Sequence, residues 1–119
     1  MKAGAGRYKN RLEIQRNEPR TVNRQRVDNW VPYCTRYGSL KPIRAVERYI
    51  ATSNNEVLIS HTIRLRFDSK TRLINEGFRV KYHPDTDLPE RYFAVESVID
   101  PDERRKEIEL HVVERSFER

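Results

Sequence analysis

Alternation of apolar and polar residues between Glu56 and Phe67 constrains this 119-residue chain more than any other feature of its sequence. Five apolar side chains fall on one parity, at Val57, Ile59, Ile63, Leu65 and Phe67, and most residues of the other parity are polar. A period of two over this length is typical of a β-strand with one buried face. We therefore predict a strand here and ask whether the rest of the chain supplies partners for it.

Five further stretches have the same period or are rich in strand-forming residues, and together they predict about six strands in all. They lie around Leu12–Ile14, Trp30–Leu40, Phe78–Tyr82, Phe93–Ile99 and Ile108–Val112. In the fourth of these, the period places Phe93, Val95 and Ile99 on the inner face and Val98 on the outer face. The predicted fold is all-β, a single domain over residues 1–119 that forms a small antiparallel barrel or sandwich.

Three segments interrupt the pattern. Residues 1–6 are predicted to form a flexible N-terminal extension, and residues 17–28, which are polar and without a period, a long exposed loop. Ile43, Val46 and Ile50 follow Pro42 at helical spacing, which predicts a short helix over Ile43–Ala51. That helix would lie within an insertion, residues 41–55, between the second and third strands.

Residues 97–110, SVIDPDERRKEIEL, fit either the start of a helix or the corner of a hairpin. Asp100 and Pro101 have the chemistry of a helix N-terminus. A helix starting there, however, would place Leu110 on the opposite side from Ile108 and Val112. We therefore favour a hairpin between residues 92–99 and 105–114, whose tip holds at most one helical turn.

The net charge of +6 belongs to the first half of the chain. Residues 1–48 contain 12 Lys+Arg and 4 Asp+Glu, a balance of +8, whereas residues 49–119 contain 12 and 14, a balance of −2. A basic half suits phosphates, an acidic partner or simply a solvated surface. The candidate DNA or partner contacts within it are Arg7, Lys9, Arg20, Arg24 and Arg26.

No pattern in the sequence indicates catalysis, a cofactor or a metal centre. HExxH and CxxC spacings are absent, His61 lies on the apolar parity of its strand, and the lone Cys34 is interpreted as a small core residue. Aromatic and basic residues interleave around Trp30 and Tyr33, which suits base stacking by a nucleic-acid-binding barrel. A core aromatic set with arginines lying over it explains the same residues without a ligand, and we favour it.

Several segments, in their order along the chain, resemble the head-tail joining family of long-tailed bacteriophages, also described as head-completion, stopper or head-closure proteins. The segments are Arg11–Arg16, Trp30 with Thr35–Leu40, His61–Phe67, Gly77–Val80 and Phe93–Glu107. Each segment alone is weak evidence for this resemblance. The ordered set, closed by the charged Asp100–Arg105 corner, is fairly specific.

This resemblance implies a structural virion protein and no enzyme. It implies a homo-oligomeric ring of about twelve subunits, monomeric when isolated, below the portal and adaptor proteins of a DNA-filled capsid. The ring would close the head around packaged double-stranded DNA and present a surface to the tail or a tail-completion protein, after assembly in the host cytoplasm and without a membrane. In the insertion, Lys41, Arg44 and Arg48 are expected to face the lumen or a neighbouring subunit. A nucleic-acid-binding barrel and a generic structural domain are the alternatives.

Overall fold

A computed structural model describes residues 8–43, 59–84, 87–100 and 105–115 of the chain. The strands are β1 (Asn10–Asn17), β2 (Arg20–Val22), β3 (Gln25–Val27), β4 (Trp30–Pro42), β5 (His61–Arg66), β6 (Arg79–Tyr82), β7 (Arg91–Ile99) and β8 (Glu107–Arg115). Six of them close into an antiparallel barrel in the order β1-β4-β5-β8-β7-β6, and β2 and β3 form a separate two-stranded sheet. The predicted all-β barrel of about six strands is confirmed.

The barrel core consists of the apolar parity of its strands. The buried apolar side chains are Leu12, Ile14, Ile63, Leu65, Ile74, Phe78, Val80, Phe93, Val95, Ile108, Leu110 and Val112. Ile74 and Phe78 reach this core from the connection between β5 and β6. Full burial of one such side chain contributes about 1.5–3 kcal/mol, so the inner parity of the strands supplies most of the stability of the barrel.

Gly38 allows β4 to pass close to β5. A methyl group on its Cα would lie 2.5 Å from Leu65 Cδ2 and 2.7 Å from the Arg64 carbonyl oxygen. The first of these atoms belongs to a side chain packed in the core, and the second to the backbone. Neither can move away without disturbing the barrel wall.

We expect Gly38→Ala to lower the free energy of unfolding by about 1–3 kcal/mol, because the added methyl overpacks this crossing. Urea denaturation at neutral pH measures the change. The neighbouring Tyr37 is exposed, so Tyr37→Thr is the matched control and should stay within about 0.5 kcal/mol of wild type. Wild-type stability of Gly38→Ala would contradict the close approach.

Two β-bulges shift the register of the barrel strands, one between Ile14 and Gln15 in the β1–β4 pair and one between Val95 and Ser97 in the β7–β8 pair. Because of the second bulge, the inner face predicted for β7 is wrong beyond Val95. An extra residue at this bulge turns Val98 toward the core, and Ile99 is 42% exposed.

The exposed loop predicted for residues 17–28 is a hairpin instead. Every residue from Glu18 to Asp28 is exposed, but β2 and β3 pair through a two-residue turn in which Asn23 and Arg24 have φ of 52° and 67°. Positive φ at both central positions is typical of the type I′ hairpin turn. We call residues 18–29 the basic arm.

The pairing of β7 with β8 confirms the predicted final hairpin. Its corner at 101–104, the helix predicted at Ile43–Ala51 and the N-terminal extension 1–6 lie outside the described residues, apart from Ile43 itself. Ile43 donates its backbone N–H to the Ser60 carbonyl at 3.0 Å and so continues the β4–β5 contact. Within the described ranges, the helical structure is limited to a 3-10 turn at Thr71–Leu73.

Candidate functional site

The barrel places the basic residues selected from the sequence at two opposite ends. The basic arm leaves the barrel between Asn17 and Trp30, and we call this the arm end. The connection between β5 and β6, residues 67–78, lies at the same end because β5 ends and β6 begins there. Lys41 is exposed near the other end of β4, a strand of 13 residues that spans about 40 Å. Lys41 and the arm therefore belong to separate surfaces.

Hydrogen bonds at its root hold the basic arm to the barrel. Glu18 donates its backbone N–H to the Asn29 carbonyl at 2.8 Å, which continues the β1–β4 pairing beyond the barrel. The Asn17 side chain accepts from the Asn29 N–H at 2.9 Å and donates to Asp28 Oδ1 at 3.0 Å. The arm thus begins as a fixed extension of the barrel wall.

Three of the predicted contact residues lie together on the basic arm. Arg20 is in β2, Arg24 is in the turn and Arg26 is in β3, and all three are exposed. None of them forms an ion pair with a described residue. Their guanidinium groups are therefore available to a phosphate or a carboxylate of a partner.

Arg79 packs at the root of the basic arm, between two aromatic rings. Its guanidinium carbon lies 4.4 Å from the ring centroids of both Trp30 and Tyr92. Its Nε donates to Gln15 Oε1 at 2.6 Å, and only 9% of the residue is exposed. Burial lowers the pKa of Arg79, while nearby groups that include Tyr92 and Asp28 act in the opposite direction. Cation–π contacts of this kind tie the first residue of β4 to β6 and β7.

A second polar cluster fixes the connection between β5 and β6. One carboxylate oxygen of Asp68 accepts from the backbone N–H groups of Lys70 and Thr71, both at 2.8 Å. Thr71 Oγ1 in turn accepts from the Asp68 N–H at 2.9 Å, and Arg36 Nε donates to the other carboxylate oxygen at 2.9 Å. Burial raises the pKa of Asp68, but the hydrogen bonds from Arg36, Thr71 and Lys70 outweigh it and lower the pKa to about 2.

This low pKa predicts a pH-dependent contribution to stability. The folded pKa of Asp68, about 2, lies below the value near 3.9 of an unfolded aspartate, so its contribution is present above about pH 4 and is lost as the pH falls toward 2. We expect about 1–2 kcal/mol, since the side chain is a third exposed and solvent screens the ion pair.

Urea unfolding between pH 2 and pH 7 measures this contribution. Asp68→Asn and Arg36→Gln should each flatten the rise in stability between about pH 2 and pH 4, because each removes the pairing that lowers the pKa of Asp68. A wild-type pH profile in Asp68→Asn would contradict the assignment.

Three of the aromatic rings considered for base stacking, those of Trp30, Tyr33 and Tyr8, are covered by cations of the same chain, whereas Tyr37 is exposed. Besides Trp30, Tyr33 has Lys70 Nζ at 4.8 Å from its ring centroid, and Tyr8 has the Arg66 guanidinium carbon at 4.9 Å. This arrangement matches the interpretation as packed aromatics with arginines and lysines lying over them.

The other residues considered from the sequence take structural positions. His61 packs edge-on against Phe93, with ring centroids 5.0 Å apart, and its Nδ1 lies 2.8 Å from Ser60 Oγ. Burial raises the pKa of the Cys34 thiol, and the cysteine packs against the core. Cys34 is therefore protonated at neutral pH, which disfavours a role as a nucleophile.

Of the remaining candidate contacts, Lys9 is exposed just before β1, and Arg7, Arg44 and Arg48 lie outside the described residues. In the described part of the chain, no group of three or more His, Cys, Asp or Glu side chains is arranged to hold a metal ion. No helix in that part is long and apolar enough to cross a membrane.

Comparison with known proteins agrees with this architecture. A family model described as "Phage head completion protein" matches residues 3–115. The solution structure of a Shigella flexneri 2a protein is similar to this chain, with a TM-score of 0.67 and 19% identity over 91% of this chain and 93% of the other. That likeness supports the fold. No curated protein matches the chain.

Proposed function

Because the chain belongs to the phage head completion protein family, we propose that it closes the DNA-filled head as a ring below the portal and adaptor proteins. The family match makes it a structural component of phage head completion. The proposal adds that the ring has about twelve subunits, retains the packaged double-stranded DNA and presents a surface to the tail or a tail-completion protein. The chain would be made in the host cytoplasm as a monomer and become part of the virion on assembly.

The basic arm is the observation that carries this proposal. It lies outside the barrel, its residues are exposed from Glu18 to Asp28, and its three arginines are not engaged in ion pairs with described residues. An isolated two-stranded hairpin is marginally stable in water. A cationic hairpin held only at its root is therefore well suited to be ordered further by a partner protein at the head-tail junction.

The opposite end of the barrel supports a second contact. We propose that Lys41, together with Arg44 and Arg48 of the same insertion, faces the DNA in the channel. Lysines and arginines bind phosphates without sequence preference and in a salt-dependent way, which suits DNA that passes through the channel. A rigid barrel with basic groups at both ends would thus bridge the DNA and a protein neighbour.

Binding of single-stranded nucleic acid is the second candidate, and the covered rings of Trp30, Tyr33 and Tyr8 count against it. Stacking platforms need exposed aromatic faces. Titration of the isolated protein with labelled oligonucleotides separates the two functions. If the chain closes the head as proposed, the isolated protein should bind oligonucleotides weakly and without preference for single strands, and this binding should disappear as salt is raised.

Heads assembled without the chain test the proposed function. We expect DNA-filled heads that lose their DNA to added nuclease and lack tails in electron micrographs. Supplying the wild-type chain should restore both properties. Tailed particles that protect their DNA in the absence of the chain would contradict the proposal.

A further inference from the structure

One face of the basic arm combines apolar and basic side chains. Arg20 pairs with Val27 and Val22 with Gln25, and since paired residues of antiparallel strands point to the same side, these four share a face. Val22 is 47% exposed and Val27 is 45% exposed. The opposite face carries Thr21 and Arg26. Two exposed valines on one face of a hairpin gain little from burial within their own chain, so burying them against a partner would stabilise a contact.

The arm end also carries a groove of complementary character. It is an open groove of about 340 Å³ lined by Asn75 and Glu76 of the β5–β6 connection and by Val98 of β7. Val98 pairs with Leu110 on the inner side of β7, whereas Ile99 is exposed on the outer side and lies outside the groove. Glu76 is exposed and makes no ion pair with a described residue. The described lining of the groove thus offers one carboxylate and one apolar side chain, and the arm face offers one arginine and two valines.

The backbone beside this groove has an open edge. β6 pairs with β7 only from Arg91 to Ala94, and the last contact on that side is the Val95 N–H donating to the Phe78 carbonyl at 3.0 Å. Beyond it, residues 97–99 pair with β8 alone among the described strands. An open edge next to an apolar groove is a typical place for another hairpin to dock.

We propose that the basic arm of one copy docks in the groove of a second copy of this chain. Arg20 would face Glu76, and Val22 and Val27 would cover Val98. Both the charges and the apolar residues match, and the matching surfaces are on the same chain. A carboxylate in the groove and valines on the arm disfavour DNA as the occupant of this contact.

The contact joins two different surfaces, so each copy can donate its arm to one neighbour and accept the arm of another. Contacts of this head-to-tail kind produce closed rings when the rotation between copies closes. The inference rests on the proposed function, because the arm-to-groove contact would join the subunits of the proposed ring. The contact leaves Arg24 and Arg26 free for portal, adaptor or tail proteins.

Disulfide trapping in assembled heads tests this contact. The variant carries Val22→Cys and Asn75→Cys, with Cys34→Ser to remove the native thiol. Purified DNA-filled heads are oxidised mildly and analysed on a non-reducing gel. We expect a ladder from dimers to multimers, since every copy carries one cysteine on its arm and one beside its groove.

Two controls and a charge swap make the result specific. Val22→Cys alone should give no species beyond dimers, and Val22→Cys with Leu88→Cys, an exposed position between β6 and β7, should give no ladder. Adding Arg20→Glu to the trapping variant should reduce the ladder about tenfold, the equivalent of about 1.4 kcal/mol, and further adding Glu76→Arg should restore it.

The outcomes separate this inference from the proposed function. If the chain is present in the heads but forms no ladder, or if Leu88→Cys gives an equal ladder, the arm-to-groove contact is wrong while head completion stands. If the chain is absent from DNA-filled heads, the proposed function fails and the contact fails with it.

Discussion

Removal of the basic arm is expected to abolish tail joining and to leave the barrel folded. In the variant, Asn-Gly replaces residues 19–28, so that Glu18 and Asn29 are joined by a two-residue turn of the type that closes hairpins. Their backbone hydrogen bond would be kept, and no residue of the barrel core is touched. The thermal midpoint should therefore stay within a few degrees of the wild-type value.

The yield of tailed particles should fall about a hundredfold, which corresponds to about 2.8 kcal/mol in the free energy of tail joining by the whole ring. Electron microscopy of particles complemented by the variant gives this yield. The matched control replaces Arg20, Arg24 and Arg26 with lysine, which keeps the charge and the hairpin but loses the planar guanidinium groups, and it should support far more tails than the armless variant. A wild-type yield from the armless variant would show that the arm has no role in joining.

The second large effect is expected for Arg79→Ala. This change removes the guanidinium between Trp30 and Tyr92 and leaves Gln15 without its donor in a buried position. Loss of two desolvated cation–π contacts and a buried hydrogen bond should lower the free energy of unfolding by about 2–4 kcal/mol. Trp30 is the only tryptophan, so its fluorescence reports the root of the arm directly.

We expect the emission of folded Arg79→Ala to shift to longer wavelength, because water reaches the indole when the stack is lost. Tyr92→Phe keeps the ring and loses only the hydroxyl that donates to Glu90 at 2.7 Å, so it should change stability by less than about 1 kcal/mol. Arg79→Lys retains the charge without the planar stacking, so its loss of stability should lie between those of Arg79→Ala and Tyr92→Phe. Wild-type emission and stability in Arg79→Ala would contradict the role of the stack.

The strands of the barrel could be predicted because each buries one face. Leu12 and Ile14, or Ile108, Leu110 and Val112, mark the period of two directly, and this was enough to choose a hairpin over a helix around residue 100. The inner face of β7 could not be followed past Val95. One extra residue at the bulge reverses the parity and has no signature in a single sequence.

The candidate site was only partly predictable for a similar reason. The arginines of the basic arm were selected by charge, but the hairpin itself was missed because both of its faces are exposed and produce no apolar period. Asn23 at the turn was its one local signal. Arg79 lies on the polar parity of β6, which predicts exposure, and its burial depends on rings contributed by β4 and β7. Contacts between strands distant in sequence leave no local pattern.

Cryo-electron microscopy of DNA-filled heads is the most direct test of the central claim that this chain completes the head. Reconstruction of the portal vertex, with and without the chain, locates it. We predict a ring of about twelve six-stranded barrels below the portal and adaptor, with Lys41 toward the channel and the basic arm against neighbouring protein. A portal vertex with identical density in both samples, or barrels located on the capsid shell, would contradict it.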